Sequence, residues 1–293
     1  MERQARLAVI GGSGLYSMEG LTDKTEVAVE TPFGSPSDVI TIGELEGASV
    51  AFLPRHGRGH RLSPTEVPSR ANIYALKSLG VERIISVSAV GSLRVDYAPL
   101  DLVFPDQLID RTRSRSLSFF EQGIVAHVGS ADPFCPDLSA LLHQASVSLP
   151  DARIHASGTY VCIEGPQFST KAESRLYHQW GADIIGMTAI PEAKLAREAE
   201  ICYATIACVT DYDVWHEAEG PVSVEMVVAN LAHNLVNAQR LISAAARLTP
   251  AGREHVTCGC ASALANAIIT APDAITPEIR ARYDLLIGRY LAR

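Results

Sequence analysis

The chain has 293 residues, of which 47% are hydrophobic and 20% charged, so it can bury a full core and we do not expect disorder. Its formal net charge of −8 argues against general binding to nucleic acid or anionic membranes, so any anionic ligand needs a local site. No apolar run approaches the roughly 18 residues of a membrane span, and Met1 to Arg6 lead into the first predicted strand without an apolar signal region. We therefore expect a soluble, cytoplasmic protein.

Segments rich in β-branched and apolar residues alternate with segments of helical periodicity, which predicts an α/β fold. The predicted strands span residues 7–10, 49–53, 83–87, 159–163, 183–185 and 201–209. Helices are predicted over 70–79, over 170–180 behind a capping box of Thr170 and Glu173, from 223 onward and from 276 onward. We expect residues 1–249 to form one domain and residues 250–293 to be a C-terminal helical extension of the same fold unit.

A glycine-rich turn, Ile10-Gly-Gly-Ser-Gly14, follows the first strand. Its glycines leave backbone N–H groups free to contact an anion, and Ser13 adds a hydroxyl donor. The dinucleotide-binding fingerprint fails, because Ser17 stands where its third glycine belongs, and the P-loop lysine is absent too. The turn therefore predicts an anion site of another kind.

Two further strands end in groups that can bind an anion. Arg55 and His56 follow one strand, and a guanidinium offers a fixed fork of donors suited to phosphate. Ser86 to Ser92 form a turn of small and hydroxyl-bearing residues after the next strand. The alternative for the first cluster is a solvated basic turn.

Thr210-Asp211-Tyr212-Asp213 ends the apolar run of residues 201–209. The i, i+2 spacing on a strand places both carboxylates on one face. At the C-terminal edge of a buried α/β strand, that face meets the crevice where ligands bind. The alternative is a solvated turn that carries two acids.

The six cysteines do not suggest a secreted disulfide scaffold. Cys162, Cys202 and Cys208 lie in apolar strand-like runs, where cysteine is usually a small hydrophobic residue. Cys258-Gly-Cys260 could form a strained disulfide or bind a metal with His255, but one such pair lacks the second half of a tetrahedral zinc site. We favour a redox role, or none, over a metal.

Phosphate donors and a carboxylate pair together suit one reaction, in which phosphate attacks the anomeric carbon of a nucleoside while an acid helps the purine to leave. The chain resembles the purine nucleoside phosphorylase superfamily, most closely the members that act on 5′-methylthioadenosine. The resemblance runs from about Val9 to Leu241 and rests on nine motifs in register: Ile10-Gly-Gly-Ser-Gly-Leu15, Thr31-Pro-Phe-Gly34, Arg55-His-Gly57, Ala71-Asn-Ile73, Gly91-Ser-Leu-Arg94, Asp132-Pro-Phe-Cys-Pro136, Ile163-Glu-Gly-Pro166, Gly186-Met-Thr188 and Thr210-Asp-Tyr-Asp213.

This resemblance implies a central mixed, partly barrel-like β-sheet flanked by helices. It implies phosphorolysis of 5′-methylthioadenosine to adenine and 5-methylthioribose 1-phosphate, in purine and methionine salvage, with phosphate as co-substrate and no cofactor or metal. A broader purine nucleoside phosphorylase and a methylthioinosine phosphorylase are the alternatives within the class. A nucleoside hydrolase or a binding module is disfavoured, because neither needs a cluster of phosphate donors.

The resemblance also implies the site residues. The phosphate site would consist of Ser13, Arg55, His56, Ser88, the Ala89 backbone and Thr188. Met187 would lie under the ribose, Phe168 and Ile163 would pack on the purine, and Val222, Val224 and Val228 would line the 5′ end. Small aliphatic residues suit a methylthio group and leave a 5′-hydroxyl without a partner, at a cost of about 1–3 kcal/mol.

Asp211 and Asp213 then take separate catalytic roles. Asp211 would hydrogen-bond N7 of the purine, and burial must raise its pKa above the usual value of about 3.9 if it is to donate at neutral pH. Asp213 would accept a hydrogen bond from the 6-amino group. Relatives that act on 6-oxopurines commonly have asparagine here, so the acid pair favours adenine.

Three further predictions concern the periphery. His127 matches a family position that reaches the substrate of a neighbouring subunit, which implies a homo-oligomer, either a trimer or a dimer of trimers. Longer archaeal-type members carry a Cys-x-Cys end and structural disulfides, so Cys135 with Cys202, and Cys258 with Cys260, are disulfide candidates. We interpret the basic run of Arg111, Arg113 and Arg115 as a solvated loop, given the acidic chain.

Overall fold

An eleven-stranded mixed sheet forms the centre of the fold. The computed structural model describes residues 4–12, 15, 18–216, 223–253 and 257–291. Its strands are β1 Leu7–Gly11, β2 Thr22–Val27, β3 Ile40–Leu45, β4 Ala48–Pro54, β5 Arg83–Ser92, β6 Leu102–Val103, β7 Gln107–Arg111, β8 Ile154–His155, β9 Thr159–Ile163, β10 Ile184–Gly186 and β11 Cys202–Asp211. All six predicted strands are present, and β5 and β11 are longer than predicted.

The sheet branches at β5. Its path runs β2-β3-β4-β1-β5-β10-β9-β7, while β11 pairs with β5 and with β6, and β6 pairs with β8. Strands β4, β1, β5 and β11 are mutually parallel, and β10 is antiparallel to β5. Because β5 has ten residues, it pairs with β1 over its first four residues and with β11 along most of its length, and it still reaches β10 with its last two residues.

Six α-helices flank the sheet in the described part of the chain: α1 Ser69–Ser78, α2 Pro136–Ala145, α3 Lys171–Gln179, α4 Ala189–Glu198, α5 Val224–Leu248 and α6 Pro277–Leu291. The predicted capping box opens α3, where the Thr170 hydroxyl accepts from the Glu173 N–H and the Glu173 carboxylate accepts from the Thr170 N–H. Ser223 caps α5 by accepting from the Met226 N–H at 3.2 Å. No helix in the described ranges is long and apolar enough to cross a membrane.

The C-terminal segment packs into the main core. Its buried apolar residues Leu264, Tyr283 and Ile287 belong to the same hydrophobic cluster as Ile84 of β5 and Val209 of β11. Burial of these side chains stabilises the segment on the sheet by roughly 25 cal/mol per Å² of apolar surface. A domain division at residue 249 stays a prediction.

Candidate active site

The carboxyl ends of four parallel strands meet at one cavity. Strands β1, β4, β5 and β11 all point the same way, so the residues that follow or end them lie side by side. The cavity has a volume of about 610 Å³, within the usual range for a small-molecule site. Gly12, Arg55, Gly91 and Asp211 line it, one from each of these strand ends.

Strands β9 and β10 complete the cavity from the opposite direction. Because β10 is antiparallel to β5, its end returns along β5 and places Met187 and Thr188 in the cavity. Strand β9 is parallel to β10 and contributes Ile163. Twelve predicted site residues therefore line one cavity: Arg55, His56, Ser88, Ala89, Ile163, Phe168, Met187, Thr188, Asp211, Asp213, Val224 and Val228. The predicted Ser13 and Val222 lie outside the described residues.

Arg55 is held by a buried ion pair that the sequence did not reveal. Its Nε and one terminal nitrogen donate to the two oxygens of Glu192 at 2.5 and 3.1 Å, and both side chains are 2% exposed. Burial alone would lower the pKa of Arg55, but the Glu192 carboxylate raises it above the ordinary value. Arg55 also donates to the Val87 carbonyl at 2.9 Å and the Ser86 hydroxyl at 2.6 Å. The guanidinium is thus fixed in one orientation at the cavity wall.

Glu192 had no motif around it that could have identified it. It lies on α4, and the Tyr203 hydroxyl donates to it at 2.9 Å. Only the packing of α4 against β11 brings it to Arg55.

His56 is neutral near pH 7. Its Nδ1 lies 2.8 Å from the Leu62 carbonyl, and since a carbonyl oxygen only accepts, Nδ1 carries the proton and Nε2 is bare. Burial, assisted by the Arg55 charge, lowers the pKa of His56 to about 4. A neutral imidazole with a bare Nε2 can accept a hydrogen bond from the P–OH group of hydrogen phosphate.

The hydroxyl-bearing residues Ser88 and Thr188 also line the cavity. Ser88 and Thr188 lie beside the Tyr160 hydroxyl. None of these three buried oxygens has a well-formed hydrogen bond within the described residues. Buried hydroxyls that lack a partner cost free energy, so Ser88 and Thr188 are suited to receive a ligand that hydrogen-bonds them.

The acid pair is brought together by a turn, which corrects the strand-face explanation. Strand β11 ends at Asp211, and its register with β5 shifts between Val209 and Asp211. Asp213 lies beyond the strand with φ of +50°, in the left-handed region. Its N–H donates to Asp211 Oδ1 at 2.8 Å, and the Thr210 hydroxyl donates to Asp211 Oδ2 at 2.7 Å. Both carboxylates still line the cavity, but not by alternation along a strand.

The environment of Asp213 favours its protonated form. Burial raises the pKa of Asp213 from 3.8 to about 6, the Ser174 hydroxyl opposes the rise, and the Asp211 charge adds to it. Asp213 Oδ2 is buried without a hydrogen-bond partner in the described residues. This oxygen is therefore available to a ligand donor.

Gly91 makes room for the acid pair. A Cβ at this position would lie 2.8 Å from Asp211 Oδ1 and 3.0 Å from Ile185 Cγ2. Any side chain at Gly91 would displace the Asp211 carboxylate, which explains a glycine near the end of the buried strand β5.

Helix α5 forms the apolar wall opposite the strands. Besides the predicted Val224 and Val228, its cavity-lining residues are Val227, Leu231, Ala232 and Leu235. The helix is tied to β11 through Asn230, whose amide donates to the Thr210 carbonyl at 2.7 Å, and Asn234, whose amide donates to the Val209 carbonyl at 2.9 Å. These two amides fix the strand end that carries Asp211.

The prediction of a solvated basic loop is wrong for Arg115. Its side chain is 3% exposed, and it donates to the carbonyls of Met187 and Glu164, each at 2.6 Å, and to the Glu164 carboxylate at 3.2 Å. Arg115 thus holds together the two chain segments that carry Ile163 and Met187. Arg111 and Arg113 are exposed, as predicted.

The peripheral predictions fall outside the cavity. His127 is exposed and does not line it, and its N–H donates to the Ala267 carbonyl at 2.8 Å. A role for His127 in a neighbouring subunit's site stays a prediction. All six cysteines are free, and the disulfide candidates also stay predictions. The predicted metal ligand His255 lies outside the described residues.

Comparison with known proteins places this cavity in a family. The sequence profile of the phosphorylase superfamily matches residues 6–247. An S-methyl-5′-thioadenosine phosphorylase of Gloeobacter violaceus is 54% identical over 292 residues, covering 99% of this chain and 97% of the relative. The enzyme of the same name from Geobacter sulfurreducens is 56% identical over 286 residues, covering 97% and 99%.

Solved structures agree with these relatives. A methylthioadenosine phosphorylase from an antarctic soil metagenomic library is 54% identical and superposes with a TM-score of 0.91. The superposition covers 97% of this chain and 99% of that chain. Methylthioadenosine phosphorylase from Schistosoma mansoni in complex with adenine is 37% identical, with a TM-score of 0.79 and coverage of 84% of this chain and 91% of that chain. The chain therefore belongs to the phosphorylase superfamily and, within it, to the family of the S-methyl-5′-thioadenosine phosphorylases.

Proposed function

We propose that the protein catalyses phosphorolysis of 5′-methylthioadenosine to adenine and 5-methylthioribose 1-phosphate. It is a pentosyltransferase, as its family is. The observation that carries the proposal is a single cavity in which anion-binding groups and a buried acid pair lie opposite an apolar helix. In the reaction, a phosphate oxygen bonds to C1′, the C1′–N9 bond breaks, and the electron pair of that bond passes to the purine.

The phosphate would lie between Arg55, His56, Ser88, the Ala89 N–H and Thr188. The unpartnered hydroxyls of Ser88 and Thr188 support this position, since a phosphate oxygen would satisfy both. Arg55 supplies positive charge next to the anion while Glu192 holds it in place. Neutral His56 would accept a hydrogen bond from the P–OH group through Nε2, which would orient the phosphate in the cavity. Ser13, which lies outside the described residues, is proposed to extend this set.

The purine would contact the acid pair. Asp211 would share its proton with N7, where negative charge develops as the glycosidic bond breaks. Asp213 would accept from the 6-amino group through its buried Oδ2, which has no hydrogen-bond partner among the described residues. Phe168 and Ile163 would pack on the purine, and Met187 on the ribose.

The 5′ substituent would lie against α5. Val224 and Val228 offer apolar surface to it, and Val222, outside the described residues, is proposed to join them. A methylthio group is compatible with that surface, whereas burial of a 5′-hydroxyl without a partner costs about 1–3 kcal/mol. We therefore expect kcat/KM for methylthioadenosine to exceed that for adenosine by about 5- to 150-fold.

We also propose a trimer or a dimer of trimers that acts in the cytoplasm without a cofactor. The open side of the cavity supports the oligomer, since Phe168, Val224 and Val228 are 44, 63 and 59% exposed in the single chain. Apolar side chains next to a ligand site are usually covered in the working state. An exposed His127 on another subunit would contribute to that cover.

The decisive experiment follows adenine release from methylthioadenosine by chromatography, with and without inorganic phosphate. Release that depends on phosphate, with one 5-methylthioribose 1-phosphate formed per adenine, would support the proposal. Release at the same rate without phosphate would mean hydrolysis and would reject it. Parallel rates on adenosine, inosine and methylthioinosine would test the predicted preference.

A further inference from the structure

The fold gathers four of the six cysteines into one group, which we call the thiol cluster: Cys135, Cys202, Cys258 and Cys260. Their four sulfur atoms all lie within 4.8 Å of one another. The Cys202 and Cys258 sulfurs are 3.6 Å apart. Three of the four residues are buried, and Cys258 is half-buried. None of them lines the active-site cavity.

The cluster joins three distant parts of the chain. Cys135 is the N-cap residue of α2, and Cys202 is the first residue of β11. Cys258 and Cys260 belong to the C-terminal segment, at the short helical turn Gly259–Ser262. The pair Cys258 and Cys260 therefore meets its second pair only through tertiary structure, which removes the sequence argument against a metal site.

One cation and two backbone N–H groups lie near the cluster sulfurs. The N–H groups of Leu138 and Cys260 lie near the Cys135 and Cys258 sulfurs without forming capping hydrogen bonds. The Arg197 guanidinium donates to the Cys260 sulfur at 3.5 Å. Backbone N–H groups at a helix start and a guanidinium both stabilise negative charge on sulfur.

A neighbouring acid fixes the C-terminal pair. The Asp137 carboxylate accepts from the Thr257 and Cys258 N–H groups at 2.6 and 2.9 Å and from the Thr257 hydroxyl at 2.7 Å. Because Asp137 lies two residues after Cys135, it ties the two halves of the cluster together. Such outer contacts are typical of metal sites, where they orient the ligands.

We propose that the thiol cluster binds one Zn²⁺ ion in a tetrahedral site of four cysteine sulfurs. With Zn–S bonds of about 2.3 Å, the sulfurs of such a site lie about 3.8 Å apart. The 3.6 Å pair already has that separation, and the longest separations need to contract by about 1 Å. Four sulfurs without oxygen or nitrogen ligands favour zinc over magnesium, calcium or manganese.

Zinc accounts for the geometry better than disulfides do. A disulfide needs two sulfurs about 2.05 Å apart, so it would draw each cysteine toward one partner and away from the other two. The N–H and guanidinium donors around the sulfurs stabilise thiolates and gain little from a neutral disulfide. With all four positions taken by protein, the site is closed and structural, and it holds the C-terminal segment on β11 and α2.

The first test measures metal in the protein purified under argon with a phosphine reductant and without chelators or an affinity tag. Mass spectrometry of the elements should find close to one zinc per chain, and X-ray absorption should give a shell of sulfur alone at about 2.3 Å. Cys258→Ser and Cys260→Ser should lose most of the zinc. Cys208→Ser is the matched control, because Cys208 is buried in β11 outside the cluster and should keep it.

A second measurement uses the unaltered protein, so it tests the proposal even if the cysteine variants fail to fold. Titration with p-mercuribenzoate in the presence of a zinc-sensitive dye should release one zinc as the cluster thiols are modified. Zinc removal should lower Tm by about 10 °C, with phosphorolysis at low temperature little changed. Protein without stoichiometric zinc would overturn the proposal, whether its thiols were free or its mass showed the loss of two hydrogens per disulfide. Iron in place of zinc would overturn it too.

Discussion

The two ends of the active-site cavity are built in opposite ways. At the anion end, Arg55 and His56 are 2 and 6% exposed and are fixed by partners within the chain. At the end lined by α5, where the 5′ substituent is proposed to lie, Val224 and Val228 are 63 and 59% exposed. A charged ligand needs donors that are already oriented, because reorganising dipoles around it costs free energy. An apolar substituent needs only a surface that closes over it, and substrate or a neighbouring subunit can complete that surface.

The largest expected effect on turnover is at Asp211, which lines the same cavity. In the proposed mechanism Asp211→Ala removes the group that shares its proton with N7, so kcat should fall by about 10²- to 10⁴-fold. The Kd for methylthioadenosine, measured by calorimetry without phosphate, should change far less. Gly91→Ala offers a second way to disturb this carboxylate, because the added methyl would collide with Asp211 Oδ1. Near-normal turnover in Asp211→Ala would exclude the acid role.

The ion pair that fixes Arg55 at the anion end can be removed by changing Glu192. Glu192→Gln leaves the buried Arg55 charge uncompensated, and we expect the free energy of unfolding to fall by about 3–5 kcal/mol. Denaturant titration at pH 6 measures this. Phosphate should restore part of the loss, since it supplies a new anion for Arg55.

Glu198→Gln on the same helix is the matched control. Glu198 is buried as well, but burial raises its pKa to about 7 and no cation pairs with it among the described residues, so at pH 6 it is mostly neutral. The neutral amide should therefore cost less there than at Glu192. Equal losses in the two variants would show that the ion pair does not hold the anion end.

The dependence of kcat/KM on pH tests the proposed contact between Asp213 and the purine. Since the pKa of Asp213 is raised to about 6, its acceptor form is lost as the pH falls through 6. The kcat/KM for methylthioadenosine should then fall up to tenfold per pH unit below 6. Asp213→Asn should abolish this limb and shift preference toward 6-oxopurine nucleosides. A limb that persists in Asp213→Asn would assign it to another group.

The raised pKa of Asp213 also makes the free energy of unfolding depend on pH. The folded protein keeps the Asp213 proton at a higher pH than the unfolded chain, whose carboxyl has a pKa of 3.8. The contribution of Asp213 to the free energy of unfolding is therefore greatest below pH 3.8 and is lost as the pH rises to about 6. Asp213→Asn should remove this contribution, so the difference between the variant and the original protein should change over that range.

The smallest expected effect tests the open end. His127→Ala should raise the KM for methylthioadenosine by up to about tenfold without lowering Tm, because the side chain is exposed in its own subunit. Mixed oligomers of His127→Ala and Asp211→Ala should regain the lower KM if His127 acts across an interface. His143→Ala, an exposed histidine on α2, is the control. No recovery on mixing would restrict His127 to its own subunit.

The sequence by itself predicted six of the eleven strands and four of the six α-helices of the described residues, together with a cavity at the strand ends. Alternating apolar segments defined the strands and helices, and donors at successive strand ends predicted one cavity, because parallel strands bring their carboxyl ends to one edge. Short motifs with their own chemistry, such as Arg55-His56 and Thr210-Asp-Tyr-Asp213, could therefore be identified without a structure.

Tertiary structure alone decided what depends on contacts between distant segments. Glu192 meets Arg55 across 137 positions, and Arg115 reaches Met187 across 72, so neither partner has a local signal in the sequence. Both acids line the cavity as expected, but a left-handed turn at Asp213 brings them together in place of strand alternation. The thiol cluster likewise exists only because α2, β11 and the C-terminal segment pack together. Sequence patterns record local geometry, whereas charge pairing and ligand sets arise from packing.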